Sequence, residues 1–561
     1  MYILGISAGM HDSSAALIKG GRIICFAEEE RFIREKHTGK VPLNAIRFCL
    51  DYAKISPQEV SAIGFFWKPF KGLGRRLLNS IKYSKNPLYI INKKQPGYLL
   101  TMLKIPYILR REFGFVCPFY NLDHYLCHIA SVLLTSPFES SAFLIADGNG
   151  ELQTICGGIS KKEKTNIVIQ NFFPYSIGLV YMSITEYLGF KGNSDEGKTM
   201  GLAPFGTTRF VEKFRKIIHA NGDGKIDINL RYFDYHYSKK EFVTPLFEKE
   251  FGPRRKNGEG LENHHRDVAF AIQSVTEEIL IHILEVLKKR VDISKIALGG
   301  GVFLNSVAND KIRRNFRETK IFIPPWVNDA GAAIGAALIL SQRLDKDFQR
   351  QYQPSCYLGP EFSEREIEDS LNKFGIKYYR SNDIFTETAN EIANGKIIGW
   401  FQGRMEAGPR ALGNRSILAD PRKREMKDIL NLKVKHRENF RPFAPAVLLE
   451  NADEYFDIDI ESPYMLFACP VRPNKTGLIP SVVHIDNTAR IQTVSRESNE
   501  RFYNLISAFD RLTGIPVVLN TSFNIAGEPI VCTPEDAIKS YLTSEIDVLV
   551  MGDFIARKKR G

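Results

Sequence analysis

Two histidines stand four residues apart in Asp123-His124-Tyr125-Leu126-Cys127-His128. On a helix that spacing puts both on one face, with Cβ atoms ~5–6 Å apart. The apolar run Leu144-Ile145-Ala146 then delivers Asp147 and Gly148 where a buried strand would end. Two imidazoles and a carboxylate on separate elements suit an open transition-metal site. By themselves, paired helical histidines are equally well read as buried polar residues or a pH-sensitive patch. The acidic strand end shifts the reading toward a metal. Asp329, in Asn328-Asp329-Ala330-Gly331, either caps the following helix or supplies a fourth ligand from the other half of a cleft, and spacing leaves both open.

Other segments carry chemistry of their own. His11, in Ser7-Ala8-Gly9-Met10-His11-Asp12, sits in a turn between two short β-rich runs, as a candidate general base or as part of a turn-stabilising polar cluster. Gly299-Gly300-Gly301, with Asn305 and Asn309, opens a strand into a helix. Backbone amides there could meet a nucleotide, or the glycines could form a tight turn against the sheet. Gly192-Asn-Ser-Asp-Glu-Gly197-Lys198-Thr199 matches the P-loop pattern. A P-loop needs a strand before it and a helix after it. Here Ile177–Leu188 has helical periodicity, and the Pro and Gly within Met200–Gly206 are expected to prevent a helix on the other side, so the match is rejected. Toward the C-terminus, Arg404, Arg410, Lys435, His436, Arg437, Arg441 and Arg490 accompany Asn520-Thr521-Ser522-Phe523-Asn524. Guanidinium forks beside Gly and Pro suit phosphate, so an anion pocket is expected.

The elements that position these residues are read from periodicity. Tyr2–Ser7, Ser14–Lys19 and Arg22–Glu28 read as three strands, with Gly20-Gly21 as a hairpin turn. A helix over Pro42–Ala53 and a strand over Ala62–Trp67 come next. Phe115–Asn121 reads as a strand and Asp123–Leu134 as a helix with Asp123 at its N-cap. Ser141–Ala146, Gln153–Ser160 and Asn166–Asn171 repeat the opening three-strand pattern. A long helix over His265–Lys289, strands at Lys295–Leu298 and Lys320–Ile323, and an Ala-rich helix at Gly331–Leu340 complete the second half. Two such halves describe an α/β chain with the duplicated actin-like ATPase fold. Ser341–Ser355 is rich in Gln, Arg, Lys and Asp and ends the first domain, taken as residues 1–345. A smaller α+β domain is expected over 355–555, with helices near Glu364–Phe374 and Phe385–Asn394 and strands at Ile397–Phe401 and Val517–Leu519.

Composition bounds the class. The 561 residues exceed one core. The apolar share of 44% and charged share of 25% are ordinary for a globular protein. No apolar run reaches the ~18 residues of a membrane span. The start lacks a basic export signal, and the eight cysteines contain no C-x-x-C, so a cytoplasmic chain with reduced thiols is expected. The net charge of +12 is uneven: Lys68 to Arg111 holds eleven Lys/Arg and no Asp or Glu, interleaved with Leu, Ile and Tyr. This basic insertion, about 68–112, is either a solvated face or a contact for a membrane surface or an acidic or lipid-linked acceptor.

The ordered motifs then identify a resemblance. Gly5-Ile-Ser-Ala-Gly-Met-His11-Asp-Ser-Ser-Ala, Glu28-Glu-Glu-Arg-Phe32, the His124/His128 pair and Glu196-Gly-Lys-Thr-Met-Gly-Leu-Ala-Pro204 are four of them. Gly299-Gly-Gly-Val-Phe-Leu-Asn305, Gly408-Pro-Arg-Ala-Leu-Gly-Asn-Arg-Ser416, Phe440-Arg-Pro-Phe-Ala-Pro445 and Leu519-Asn-Thr-Ser-Phe-Asn524 are the others. Over nearly its whole length the chain resembles the O-carbamoyltransferases of nodulation-factor and antibiotic biosynthesis. The resemblance implies an N-terminal domain similar to the tRNA threonylcarbamoyl-transfer subunit and a C-terminal domain similar to threonylcarbamoyl-adenylate synthase. It implies that carbamoyl phosphate and ATP, with Mg, give carbamoyl-adenylate in the C-terminal domain. The N-terminal domain would then carry the carbamoyl group to a hydroxyl of a saccharide or natural product, aided by a divalent metal, usually Fe(II).

By position, the resemblance implies His124, His128, Asp147 and Asp329 as metal ligands and His11 as the base. It sets Lys36, Gly299, Gly300, Gly301 and Asn305 toward the nucleotide. Arg410, Lys435, Arg441, Met465, Arg490, Asn520 and Ser522 would hold carbamoyl phosphate and adenylate. The insertion matches no family motif. Two alternatives stand beside this reading: a tRNA threonylcarbamoyl-type modification enzyme and a non-catalytic nucleotide-binding scaffold. The fusion of both domains in this order disfavours the first, and nucleic acid is not an expected partner. The dense C-terminal polar pocket disfavours the second.

Overall fold

A computed structural model describes residues 1–83, 95–161, 164–236, 242–256 and 258–558. Two compact units emerge. One joins Met1–Glu29 to His37–Gln353, and the other joins Glu30–Lys36 to the chain from Pro354 onward. The short segment Glu30–Lys36 therefore belongs with the C-terminal part, where Arg34 donates to the Ile530 and Pro529 carbonyls at 2.6 and 2.8 Å.

The first unit repeats one topology twice. Strands β1 (Tyr2–Ser7), β2 (Ser14–Lys19), β3 (Arg22–Glu28), β4 (Val60–Phe65) and β5 (Phe119–Asn121) form a sheet in the order β3-β2-β1-β4-β5. β1 is antiparallel to β2 and parallel to β4. After a second set, β6 (Ser141–Ala146), β7 (Gln153–Lys161) and β8 (Lys164–Phe172), comes a small hairpin of β9 (Ile218–Ala220) and β10 (Ile226–Ile228). β11 (Lys295–Gly299) and β12 (Lys320–Phe322) complete a second sheet, in the order β12-β11-β6-β7-β8. Again the first strand of the set pairs antiparallel with the second and parallel with the fourth. This doubled arrangement is the duplicated actin-like fold that the sequence pattern implies.

Register brings the chemistry together. All six residues of β6 are buried, as in a strand covered on both faces. Gly299 on β11 pairs opposite Ile145 on β6, so both strands end at the same edge, with Asp147 and Gly301 just beyond. The His124–Leu133 helix packs on this sheet through Tyr125, Ile129, Val132 and Leu133, against Phe143, Ile145 and Ala297. Its N-cap, Asp123, accepts the Leu126 N–H at 3.1 Å. The Gly331–Leu344 helix lies on β1, β2 and β4 and against the His124–Leu133 helix. Its Ala/Gly composition permits this: a Cβ on Gly335 would overlap the Cys127 carbonyl oxygen.

One local expectation is corrected. The P-loop-like segment does come after a helix, Ile177–Tyr187, rather than a strand. A short helix, Glu196–Leu202, nevertheless forms at its end, where none was expected. Gly197 and Gly201 are tolerated inside it, and Pro204 falls in the first turn of the 3-10 segment Ala203–Phe205, where its missing N–H does no harm. The basic insertion contributes helices Leu73–Tyr83 and Gln95–Phe113; its residues 84–94 lie outside the described residues.

The second unit is built on one nine-stranded mixed sheet. Its strands are β13 (Tyr378–Arg380), β14 (Ile398–Phe401), β15 (Arg415–Ala419), β16 (Ala444–Leu448), β17 (Phe467–Pro470), β18 (Thr488–Val494), β19 (Val517–Ser522), β20 (Val548–Met551) and β21 (Phe554–Arg557). They run in the order β13-β21-β20-β14-β15-β19-β16-β18-β17. Helices Glu364–Lys373, Ile384–Ala393 and Glu500–Thr513 are capped by Ser363, Asp383 and Asn499.

The contact at Gly335 sets the spacing of the two helices that bring His128 and Asp329 together. Gly335→Ala is expected to lower unfolding free energy by ~1–3 kcal/mol, read as a lower urea midpoint at unchanged slope. An unchanged midpoint would mean that the helices separate without strain.

Candidate metal centre and anion pocket

His124 and His128 are fully buried and project their Nε2 atoms toward two carboxylates. His124 Nε2 lies 3.3 Å from Asp147 Oδ2 and 3.6 Å from Asp329 Oδ1. His128 Nε2 lies 3.7 and 3.3 Å from the same two oxygens. The donor atoms of the four residues all lie within 4.8 Å of one another. Charge-assisted hydrogen bonds between such groups run ~2.7–2.9 Å, so this spacing is longer than that of closely joined ion pairs. It agrees with the edges of a polyhedron whose bonds to a central ion are ~2.0–2.2 Å. Two imidazoles with two carboxylates also suit a divalent first-row ion such as iron or zinc by donor type. The residues therefore fit a metal.

Neighbours fix the ligands. Gly301 N–H donates to Asp147 Oδ1 at 3.0 Å, leaving Oδ2 to face the imidazoles. Gly300 precedes it at φ +89°, and a Cβ there would overlap the Ala146 carbonyl oxygen. The glycine run is thus the close-packed turn that orients Asp147. Phe66 and Trp67 set their rings 5.4 and 5.1 Å from the His124 ring, edge-on. Glu151 accepts the His124 backbone N–H at 3.1 Å, and burial raises its own carboxyl. Without an ion the cluster is electrostatically loaded. Burial alone would lower the His124 imidazole, but the Asp329 charge and the hydrogen bond and charge of Asp147 hold it up to about 9.

His11 stands beside this set, with Nε2 3.7 Å from Asp329 Oδ2 and Nδ1 3.2 Å from Asp12 Oδ2. Burial opposes its charge, yet Asp329 and Asp12 hold it up to about 10. Asp12, at φ +52°, also meets His37 Nδ1 at 2.7 Å and accepts from Asn328 at 3.2 Å. Nothing in residue spacing announced that Asp12 and His37 would meet. Asn305 has another occupation than the expected nucleotide contact: its oxygen caps the Ser306–Asn315 helix through Ala308 N–H, and its amide exchanges hydrogen bonds with Gln273. Lys36 belongs to the second unit, whereas Gly299–Gly301 belong to the first.

The second unit gathers cations. Arg410 sits in the loop between β14 and β15, Arg490 on β18, and Lys435, Arg437 and Arg441 between the Met426–Ile429 helix and β16. Burial pushes Arg410, Arg437, Arg490 and Lys435 all down, and repulsion adds to it: Arg441 acts on each of the four, and Lys36 also acts on Lys435. The Nε atoms of Arg410 and Arg490 are buried without a hydrogen-bond partner among the described residues. Unmatched buried donors beside mutually repelling guanidiniums mark a place for anionic oxygens.

The other expected pocket residues divide. Lys435 is occupied internally: its ammonium donates to the Ser522 carbonyl, to the Asn524 carbonyl at 3.0 Å and to Asn524 Oδ1 at 2.7 Å. Lys435 and Ser522 thus brace a turn beside the cations. Asn520 donates to Gln492 at 2.8 Å and keeps a buried Oδ1 without a partner among the described residues. Met465 is buried at φ +57°, a backbone strain of the kind found at binding sites. Arg404 donates to the Leu358 and Gly359 carbonyls and serves the loop rather than an anion.

Comparison with known proteins covers both units. Residues 2–338 match the family described as Carbamoyltransferase N-terminus, and residues 389–558 match Carbamoyltransferase C-terminus. Over 98% of its length the chain is 37% identical to the nodulation protein NolNO of Sinorhizobium fredii, spanning 79% of that protein. It is 28% identical to the 3'-hydroxymethylcephem-O-carbamoyltransferase of Amycolatopsis lactamdurans, over 80% of this chain and 83% of that one. An uncharacterized protein of Synechocystis, sll1178, is 38% identical over 99% of this chain and 97% of its own.

The His124 imidazole must lose its proton to ligate. With that group held up to about 9 in the ion-free cluster, metal affinity is expected to rise from pH 6 to about 9 and then level. Binding at pH 7.5 should release about one proton from His124, seen by calorimetry in buffers of different ionisation enthalpy. His128→Ala should weaken retention about a hundredfold or more, seen by metal analysis after dialysis. Binding that is flat in pH, or unaffected by the substitution, would exclude this donor set.

Proposed function

The chain belongs to the carbamoyltransferase family, and we propose that it is an ATP-dependent O-carbamoyltransferase with one half-reaction in each unit. The observation that carries this reading is the opposite character of the two sites: a buried set of metal donors in the first unit, and in the second the buried Nε donors of half-buried Arg410 and Arg490, which have no hydrogen-bond partner among the described residues.

In the second unit the chemistry is the activation of a carbamoyl group. Forming an adenylate with loss of pyrophosphate needs a carbamate oxygen to attack the α-phosphorus of ATP. Carbamoyl phosphate must therefore first yield carbamate and phosphate, with one water consumed. Each species is anionic. Arg410, Arg441 and Arg490 would hold the phosphoryl oxygens and stabilise the charge that builds on the departing pyrophosphate. Asn520, whose buried Oδ1 has no partner among the described residues, would offer an acceptor to the carbamoyl NH2. Mg would accompany ATP as in other nucleotidyl transfers.

In the first unit the carbamoyl group passes to an acceptor hydroxyl. His124, His128, Asp147 and Asp329 would hold a divalent ion, Fe(II) by the family's habit, and that ion supplies Lewis-acid polarisation of the adenylate. His11 would take the hydroxyl proton as the acceptor oxygen attacks the carbamoyl carbon, with AMP leaving. Engaged as ligands, Asp147 and Asp329 pull less on His11, which returns toward the neutral imidazole that a base requires. Asp12 orients His11 through Nδ1 and turns Nε2 toward the site. The acceptor in this reading is a saccharide or natural-product hydroxyl.

With carbamoyl phosphate and ATP, the wild type is expected to release pyrophosphate and accumulate carbamoyl-adenylate. His124→Ala should keep that release and lose carbamoyl transfer about a thousandfold or more. Arg490→Ala should lose both. Mass spectrometry of the adenylate and of the carbamoylated acceptor checks the split. Equal loss of pyrophosphate release in His124→Ala would contradict the assignment of one half-reaction to each unit.

A further inference from the structure

The basic segment between β4 and β5 has no task in either half-reaction. From Lys68 to Arg111 it holds eleven Lys/Arg and no acidic residue. Its Gln95–Phe113 helix is seated on the protein by Met102, Ile105 and Leu109, all buried. That i, i+3, i+7 face has a counterpart on the other side. Leu100, Leu103 and Tyr107 repeat the spacing and are 55%, 46% and 66% exposed. Around the helix the two stripes are more than a quarter-turn apart, so the second faces away from the body. Lys104 and Arg110, both exposed, flank it, while exposed Arg111 pairs with Glu112 at 2.5 Å.

The Leu73–Tyr83 helix has a similar arrangement. Arg75 lies over the Phe172 ring at 4.4 Å, and Asn79 donates to the Phe173 carbonyl at 3.2 Å. These contacts hold one side to the body. Leu78 and Ile81 point outward, 67% and 61% exposed, and Phe70 just before the helix is 60% exposed. Large aliphatic residues this exposed, in a stretch that contains no acidic residue of its own, are solvated poorly by water.

We propose that this outward face is a docking surface for an anionic lipid bilayer. Aliphatic stripes flanked by Lys and Arg are complementary to the headgroup region: the apolar side chains enter the acyl boundary and the cations meet lipid phosphates. Single-stranded nucleic acid favours aromatic stacking platforms, whereas Leu78, Ile81, Leu100 and Leu103 make this face mainly aliphatic. A second copy of the same face would bring like charges together. No described helix is long and apolar enough to cross a membrane, so the contact is one of lying on the surface. The strand that leads into the segment, β4, continues into Phe66 and Trp67, whose rings pack on His124. Docking would thus anchor the chain next to its candidate metal centre, and it holds whether or not the carbamoyl chemistry does.

Flotation of the full chain with extruded vesicles tests this. Phosphatidylcholine vesicles carrying about a third phosphatidylglycerol are expected to capture the protein, and pure phosphatidylcholine vesicles are not. Raising the salt should weaken capture. Leu103→Asp/Tyr107→Asp removes the apolar stripe, and Lys104→Glu/Arg110→Glu reverses its flank. Each pair is expected to lower the partition coefficient about tenfold or more with the thermal midpoint unchanged. The positions are solvent-exposed, so the fold should persist, and each pair checks the other. The proposal is overturned if wild type ignores anionic vesicles, binds neutral ones equally, or loses no binding in either variant. It is also overturned if the apolar variant instead converts a dimer to a monomer, or if the face captures tRNA in preference to vesicles.

Discussion

Two carboxylates and two imidazoles share one buried corner of the first unit, at distances longer than close charge-assisted hydrogen bonds and right for ligands. Burying that much charge is unfavourable unless it is compensated. Much of the surrounding structure can be understood as the means of assembling it. β6 must be covered on both faces to bring Asp147 to its end, and β11 must run beside it so that Gly301 can hold one Asp147 oxygen. The Gly331–Leu344 helix must approach the His124–Leu133 helix closely enough for Asp329 to face His128. A bulkier residue at any of these contacts moves a ligand.

The second unit poses the opposite electrostatic problem. Half-buried Arg410, Arg437, Arg441 and Arg490 repel one another, and the Nε donors of Arg410 and Arg490 lack partners among the described residues. Such a site would be completed by anionic ligands, as the first would be completed by a cation. On the proposed reading a reactive carbamoyl anhydride would suit this division: one site would neutralise phosphate charge while the anhydride forms, and the other would polarise its carbonyl while it is consumed.

Parts of this were legible in the sequence because they are local. The i, i+4 histidines, the N-cap at Asp123 and the acid at the end of an apolar strand each rest on a few neighbouring residues. The doubled three-strand pattern rests on alternation and turns. The features that were not legible depend on approach between distant segments. Asp12 meeting His37 and Asn328, and Lys435 bracing Ser522 and Asn524 rather than reaching for phosphate, have no spacing signature. The glycine run could be read as a phosphate cradle or a tight turn; only the register of β11 against β6 gives it the second role. Asn305 looked available because its cap on the Ser306–Asn315 helix and its pairing with Gln273 become evident only in three dimensions. The inclusion of Glu30–Lys36 in the second unit reflects Arg34 finding carbonyls 496 and 495 residues away.

Anomalous diffraction from crystals of the full chain, grown with Fe(II) under anaerobic conditions, addresses the central claim most directly. The expected result is a single strong peak ~2.0–2.2 Å from Nε2 of His124 and His128 and from carboxylate oxygens of Asp147 and Asp329. Histidine–aspartate pairs closed to ~2.7–2.9 Å, with no peak between them, would contradict it.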